Sequence, residues 1–213
     1  HMPDLVYEGR RVVNNIERSA SLFLVKNIFS LLLSVLSAVF MFTYPLDPAQ
    51  ISFVSMFTIG IPGFLLALEP NKHRIKGDFL KNVLIKALPG GLTDVIAVFA
   101  IVMCGSVFEI SDDSIGTIAT MIMSVVGFMI LCKISEPFNT RKYMIIAGNI
   151  FGFIFAGLFF GKLFALTDLS GVSILLMVIF GFGAESVFRN LTILVENIQI
   201  LYVKNKERKN KTE

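Results

Sequence analysis

Few side chains of this 213-residue chain are able to do chemistry inside an apolar environment, and they stand far apart. Asp94 lies about half-way along the apolar run 83–107. A carboxylate in a hydrocarbon span is costly and marks an ion or proton path by default. Its other reading is structural, as an acceptor for nearby Ser, Thr or Lys. Glu185 and Arg189 stand four apart with the acid on the N-terminal side, the favourable order for an ion pair on one helical face. They read as a structural pair before a transport one. The segment Ile59-Gly60-Ile61-Pro62-Gly63 interrupts another apolar run. Pro and Gly there free backbone carbonyls, which either line an ion site or mark a packing kink. Cys104 and Cys132 sit in apolar runs with no metal-ligand spacing and no disulfide framework, so they read as small buried residues.

The elements that must position these groups are membrane helices. The chain is 54% hydrophobic, with 21 Phe, no Trp and a mean hydropathy of +0.74. That is too apolar for an ordinary soluble domain, and no nucleic acid is expected among its partners. Six runs, about 20–44, 51–69, 83–107, 115–133, 144–165 and 172–200, each reach the ~18–20 residues needed to cross a bilayer. The expected fold is all-α: a six-transmembrane-helix bundle whose first helix carries a long cytoplasmic stalk. No Pro or Gly interrupts Val12 to about Thr43. That helix is nearly 50 Å long at ~1.5 Å per residue, against a hydrocarbon core of ~30 Å. Its polar start (Arg10, Arg11, Asn14, Asn15, Glu17, Arg18) is expected to be solvated.

Charge placement sets the expected topology. Arg10, Arg11 and Arg18; Lys72, His73, Arg74, Lys76 and Lys81; Lys133, Arg141 and Lys142; and the tail Lys204 to Lys211 fall on one side. Asp47, Glu109, Asp112, Asp113 and Asp168 fall on the other, with Lys162 as the exception. The positive-inside rule then gives a multi-pass protein of the cell membrane with both termini cytoplasmic. Residues 1–2 read as an expression remnant, 3–19 as stalk, 20–203 as the membrane domain, and 204–213 as a basic tail, solvated or touching anionic head groups. The stalk reads as the continuation of something larger. Gly148-xxx-Gly152 and Gly157-xxx-Gly161 read as a packing face within the bundle.

Glu8-Gly9-Arg10-Arg11-Val12-Val13-Asn14-Asn15-Ile16 resembles the stalk motif that follows the phosphorylation domain of P-type cation-transporting ATPases. Lys26-Asn27-Ile28-Phe29-Ser30 resembles their fifth membrane helix, and Pro45-Leu46-Asp47-Pro48-Ala49-Gln50-Ile51 the tight external turn. Ser55-Met56-Phe57-Thr58-Ile59-Gly60-Ile61-Pro62 resembles the NLVTDGLP motif of the sixth helix, and Leu66-Ala67-Leu68-Glu69-Pro70 its end. Gly90-Gly91 and Ile134-Ser135-Glu136 extend the likeness weakly. The chain then looks like helices five to ten of a bacterial calcium- or magnesium-type pump.

The resemblance implies an ATP-driven pump that cycles through an aspartyl phosphate, with ATP and Mg2+ as cofactors of the full-length protein. No DKTGT-like or TGD sequence is present, so these residues alone are expected to be inactive. The implied partners are the bilayer, the transported cation, and the N-terminal membrane helices and cytoplasmic domains of the same full-length chain. Asn27, Ser30, Ser55 and Thr58 match the positions of the cation pathway, with Asp94 as the added carboxylate. Ser30, Ser55 and Ile59 stand where calcium pumps have Glu, Asn and Asp, and Val126 falls near their eighth-helix Glu. A neutral set of this kind fits two calcium ions poorly and suggests one cation per cycle. Lys26 stands where the gastric proton-pump branch has a Lys, as a tethered counter-charge or a side chain snorkelling to the interface. A stand-alone six-helix channel, carrier or accessory subunit is the alternative reading.

Overall fold

The computed structural model describes residues 2–68 and 78–209. All regular structure among them is helical, and six of the helical units are long and apolar enough to cross a membrane. Helix α1 (Met2–Phe40) carries stalk and first span in one rod of 39 residues. It stops at Met41, whose φ of 54° puts the backbone in the left-handed region. Ser37 Oγ donates to Phe42 O at 2.6 Å across the break. The helix therefore ends a turn before the expected Thr43.

The second span has three parts. Helix α2 (Pro48–Ser55) begins with Pro, which needs no N–H partner in a first turn. A π-helical turn, Met56–Gly60, follows, and α3 (Ile61–Ala67) completes the span. Of the two readings of Gly60-Pro62, an opened segment lining an ion site or a packing kink, the backbone shows no unwinding there. The helix widens by one residue per turn instead, with Ile61 N donating to Met56 O. Glu69 and Pro70, and the basic residues Lys72, His73, Arg74 and Lys76, lie outside the described residues.

Helix α4 (Phe79–Val107) is capped by Asp78, which accepts from Leu80 N, and runs on through Pro89. Helix α5 (Asp112–Ser135) starts at a Ser111 cap with two acids in its first turn, where they suit the helix dipole. Helix α6 (Thr140–Phe160) is capped by Asn139 and passes into a 3-10 turn, Gly161–Phe164. Helix α7 (Gly171–Lys209) closes the chain.

Helices α4 and α5 form the centre. On α5, Ile118, Ala119, Val126 and Leu131 are fully buried. On α4, Gly90 and Gly91 let the neighbours in: a Cβ would sit 2.2 Å from Ile130 at the first and 2.7 Å from Ile28 at the second. This is how small residues drive helix association where lipid removes the hydrophobic difference. Helix α6 packs on the second span through stacked Phe53 and Phe153, centroids 4.5 Å apart. Outside, Phe23, Leu31, Phe64, Phe159 and Phe182 are exposed, as lipid-facing residues should be.

The expectation for the stalk needs correction. Asn15, Glu17 and Arg18 are buried, each under 10% exposed. They turn towards the end of α3 and the start of α4, where Asn15 Nδ2, Arg18 and Glu17 find partners.

Candidate functional site

One small cavity inside the bundle gathers most of the chemistry. It measures about 30 Å³, and its polar lining comes from Lys26 on α1, Ser55 and Thr58 on the second span, and Asp94 on α4. That volume admits one or two water-sized particles. Asp94 is 3% exposed, and its Oδ1 has no hydrogen-bond partner among the described residues. An uncompensated carboxylate oxygen in such a place is costly. Lys26 borders the same cavity, half-buried, without forming an ion pair with Asp94.

The local sequence explains these positions. Thr58 sits in the π-turn and donates to Val54 O at 2.8 Å. Behind it α5 carries Gly127, where a Cβ would lie 2.7 Å from Thr58 Cγ2. Any larger residue would push Thr58 into the cavity. On α4, Thr93 donates to Pro89 O at 2.7 Å, and Gly90 and Gly91 bring α4 close against α5 and α1, the two helices beside which Asp94 borders the cavity.

Not every expected residue reaches the cavity. Leu22, Val25 and Lys26 face it from α1. Asn27 is then turned about 100° away and is exposed on the outer side of that helix. Ser30 lies a turn beyond Lys26 and neighbours the Tyr44 hydroxyl instead. Asn27, Ser30, Ser55 and Thr58 therefore do not converge around one point. Val126 is wholly packed in apolar core. Glu185 and Arg189 pair on α7 at 3.8 Å, both well exposed and away from the cavity. Cys104 and Cys132 are unpaired and half-buried. Among the described residues, no three His, Cys, Asp or Glu gather as metal ligands.

Sequence reasoning missed a polar latch between stalk and bundle. Asn15 Nδ2 donates to Ala67 O at 2.9 Å, and Arg18 Nη1 lies 3.5 Å from Leu66 O, so both reach the C-terminal carbonyls of α3. Glu17 pairs with Lys86 at 2.5 Å and accepts from Asn82 at 3.3 Å, both on α4. The latch joins the polar end of α1 to both neighbours of the cavity.

No family model matches the chain. Among curated proteins it is 32% identical over 166 residues to a probable cation-transporting ATPase, exp7, of Streptococcus pneumoniae, covering 74% of this chain and 21% of that protein. It is 30% identical over 167 residues to the calcium-transporting ATPase CtpE of Mycolicibacterium smegmatis, covering 72% and 21%. The CtpE of Mycobacterium bovis is 30% identical over 164 residues, covering 70% and 20%. The chain thus spans about a fifth of the length of the curated relatives it matches. With six apolar spans and relatives of this kind, the chain is a multi-pass membrane segment homologous to part of the P-type cation-transporting ATPases.

Proposed function

We propose that this chain forms part of the cation pathway of an ATP-driven pump, with Asp94, Thr58 and Ser55 as cation-facing groups and Lys26 as a tethered counter-charge. Calcium is the favoured cation and magnesium the next, on the names of the CtpE relatives and the resemblance of residues 8–70. The observation that carries the reading is Asp94: a buried carboxylate oxygen without a partner, facing a cavity of ion size beside a π-helical turn. One carboxylate and two hydroxyls fall short of the six to eight oxygens that calcium takes, so the remaining ligands come from other membrane helices of a longer chain. Asn27, exposed on the outer side of α1, and Ser30 join the pathway where such a helix covers α1. One cation per cycle suits a cavity of this volume. ATP and Mg2+ act in phosphorylation and nucleotide-binding domains, which would pull on the stalk. Both termini then face the cytoplasm.

The test is Asp94→Asn in the full-length protein, reconstituted in vesicles. Ion-stimulated ATP hydrolysis and calcium uptake should fall together by at least about tenfold, which corresponds to ~1.4 kcal/mol of lost cation stabilisation. Phosphorylation from inorganic phosphate should persist. Unchanged calcium uptake by Asp94→Asn would refute the assignment.

A further inference from the structure

Lys162 is the exception in the charge pattern, a cation among the acids at the end of the bundle away from the termini. It sits in the 3-10 turn after α6, and Asp168 lies six residues on, in the segment that leads to α7. Both line one cavity of about 790 Å³ between α5, α6 and α7. Both are exposed, yet their side chains do not pair with each other, nor with any other side chain among the described residues. A cation and an anion held apart on one rim, each open to a partner, need a ligand that carries both signs.

The rim is built rather than loose. Thr117 of α5, 2% exposed, lines the cavity, and its Oγ1 accepts from Thr167 N at 3.0 Å. Gln50, buried at the start of the second span, donates from Nε2 to Ala165 O at 2.9 Å. Leu166 N donates to Gly161 O at 2.9 Å and closes the turn. The backbone between Lys162 and Asp168 is thus tied to α2 and α5. Beneath the rim the cavity continues into a second of about 560 Å³, with Met121, Phe153, Ile154 and Met177 common to both. Its walls are almost wholly apolar. Val178 and Phe182 line it seven and eleven residues from the start of α7, about 10 and 16 Å along the axis. Half of a ~30 Å hydrocarbon core is ~15 Å. A rim with both charges therefore stands over an apolar channel one leaflet deep.

We propose that this is a binding site for one phosphatidylethanolamine of the leaflet away from the termini. The lipid phosphate meets Lys162, the primary ammonium meets Asp168, and an acyl chain fills the channel between α6 and α7. Charge complementarity selects the head group. An anionic phosphatidylglycerol satisfies Lys162 and sets its own charge near Asp168. Phosphatidylcholine has both signs, but its quaternary ammonium has no N–H to donate to a carboxylate. An ammonium with three donors makes the charge-assisted hydrogen bond that Asp168 lacks. The site also accounts for Lys162 itself, since a cation on this side of the bundle opposes the topology that the other basic residues set.

The test uses the full-length protein in mild detergent, exchanged with equal amounts of phosphatidylethanolamine, phosphatidylcholine and phosphatidylglycerol of the same acyl chains. Native mass spectrometry counts the lipid retained. One phosphatidylethanolamine per chain should be held about three- to tenfold more tightly than either other lipid, the range that one or two exposed ion pairs supply. Lys162→Gln and Asp168→Asn should each reduce that preference. Asp168→Lys should turn it towards phosphatidylglycerol. Val178→Trp, in the channel, should release the lipid with both rim charges in place, while Leu163→Ala, exposed and outside the lining, should leave it bound. The two rim variants are surface changes, so they report even where the Trp variant does not accumulate. Equal retention of the three lipids would overturn the proposal. So would a preference indifferent to both rim variants, a preference of the unaltered protein for phosphatidylglycerol, or a polypeptide segment that crosslinks to a cysteine at position 178 and excludes lipid.

Discussion

Asp94 and Thr58 owe their places to residues that do no chemistry. Gly90 and Gly91 remove the side chains that would hold α4 off α5 and α1, and Gly127 the one that would hold α5 off the second span. Gly127→Val should therefore act on Thr58 before it acts on the fold: ion-stimulated hydrolysis should fall with a raised requirement for calcium, readable from activity against calcium concentration. Gly90→Leu meets Ile130 head-on and should lower stability by about 1–3 kcal/mol, the usual range for overpacking, seen as an earlier thermal transition in detergent. Asp94 was legible in the sequence, because a lone carboxylate in an apolar run is expensive wherever the helix points. Asn27 was not, because adjacent residues on a helix face about 100° apart and only packing tells which of Lys26 and Asn27 turns inward.

At the scale of elements, the latch between α1, α3 and α4 sets how stalk movement reaches the cavity. Lys86→Met would leave Glu17, whose side chain is 9% exposed, without its cation. A loss of about 1–3 kcal/mol should follow, the cost of a stranded buried polar group. Arg11→Ala should change stability by less than about 0.5 kcal/mol, because its pair with Glu8 is exposed on both sides. Equilibrium unfolding of the two variants side by side would separate them. The six spans were plain from length and hydropathy, but the latch was hidden. Glu17 and Lys86 are 69 residues apart, and polar side chains on a stalk look solvated until their partners are known.

For the whole molecule, six spans put both termini on one face of the membrane. Cysteines placed at Asp112 and Asp168 should react with an impermeant reagent from outside intact cells, and one at Asn139 only after permeabilisation. External reaction at Asn139 would contradict that orientation. The π-helical turn adds something to this frame. It holds one residue more than an α-turn, so all of α3 stands about 100° round from where an unbroken helix would put it. If the Ile61 amide exchanged its bond to Met56 O for one to Phe57 O, α3 would rotate through that angle and move about 1.5 Å along its axis, as a screw does. Leu66 and Ala67, the two carbonyls gripped by Arg18 and Asn15, would turn with it. Between stalk and cavity such an exchange would act as a mechanism with two discrete threads, of which the Ile61 N to Met56 O bond engages one.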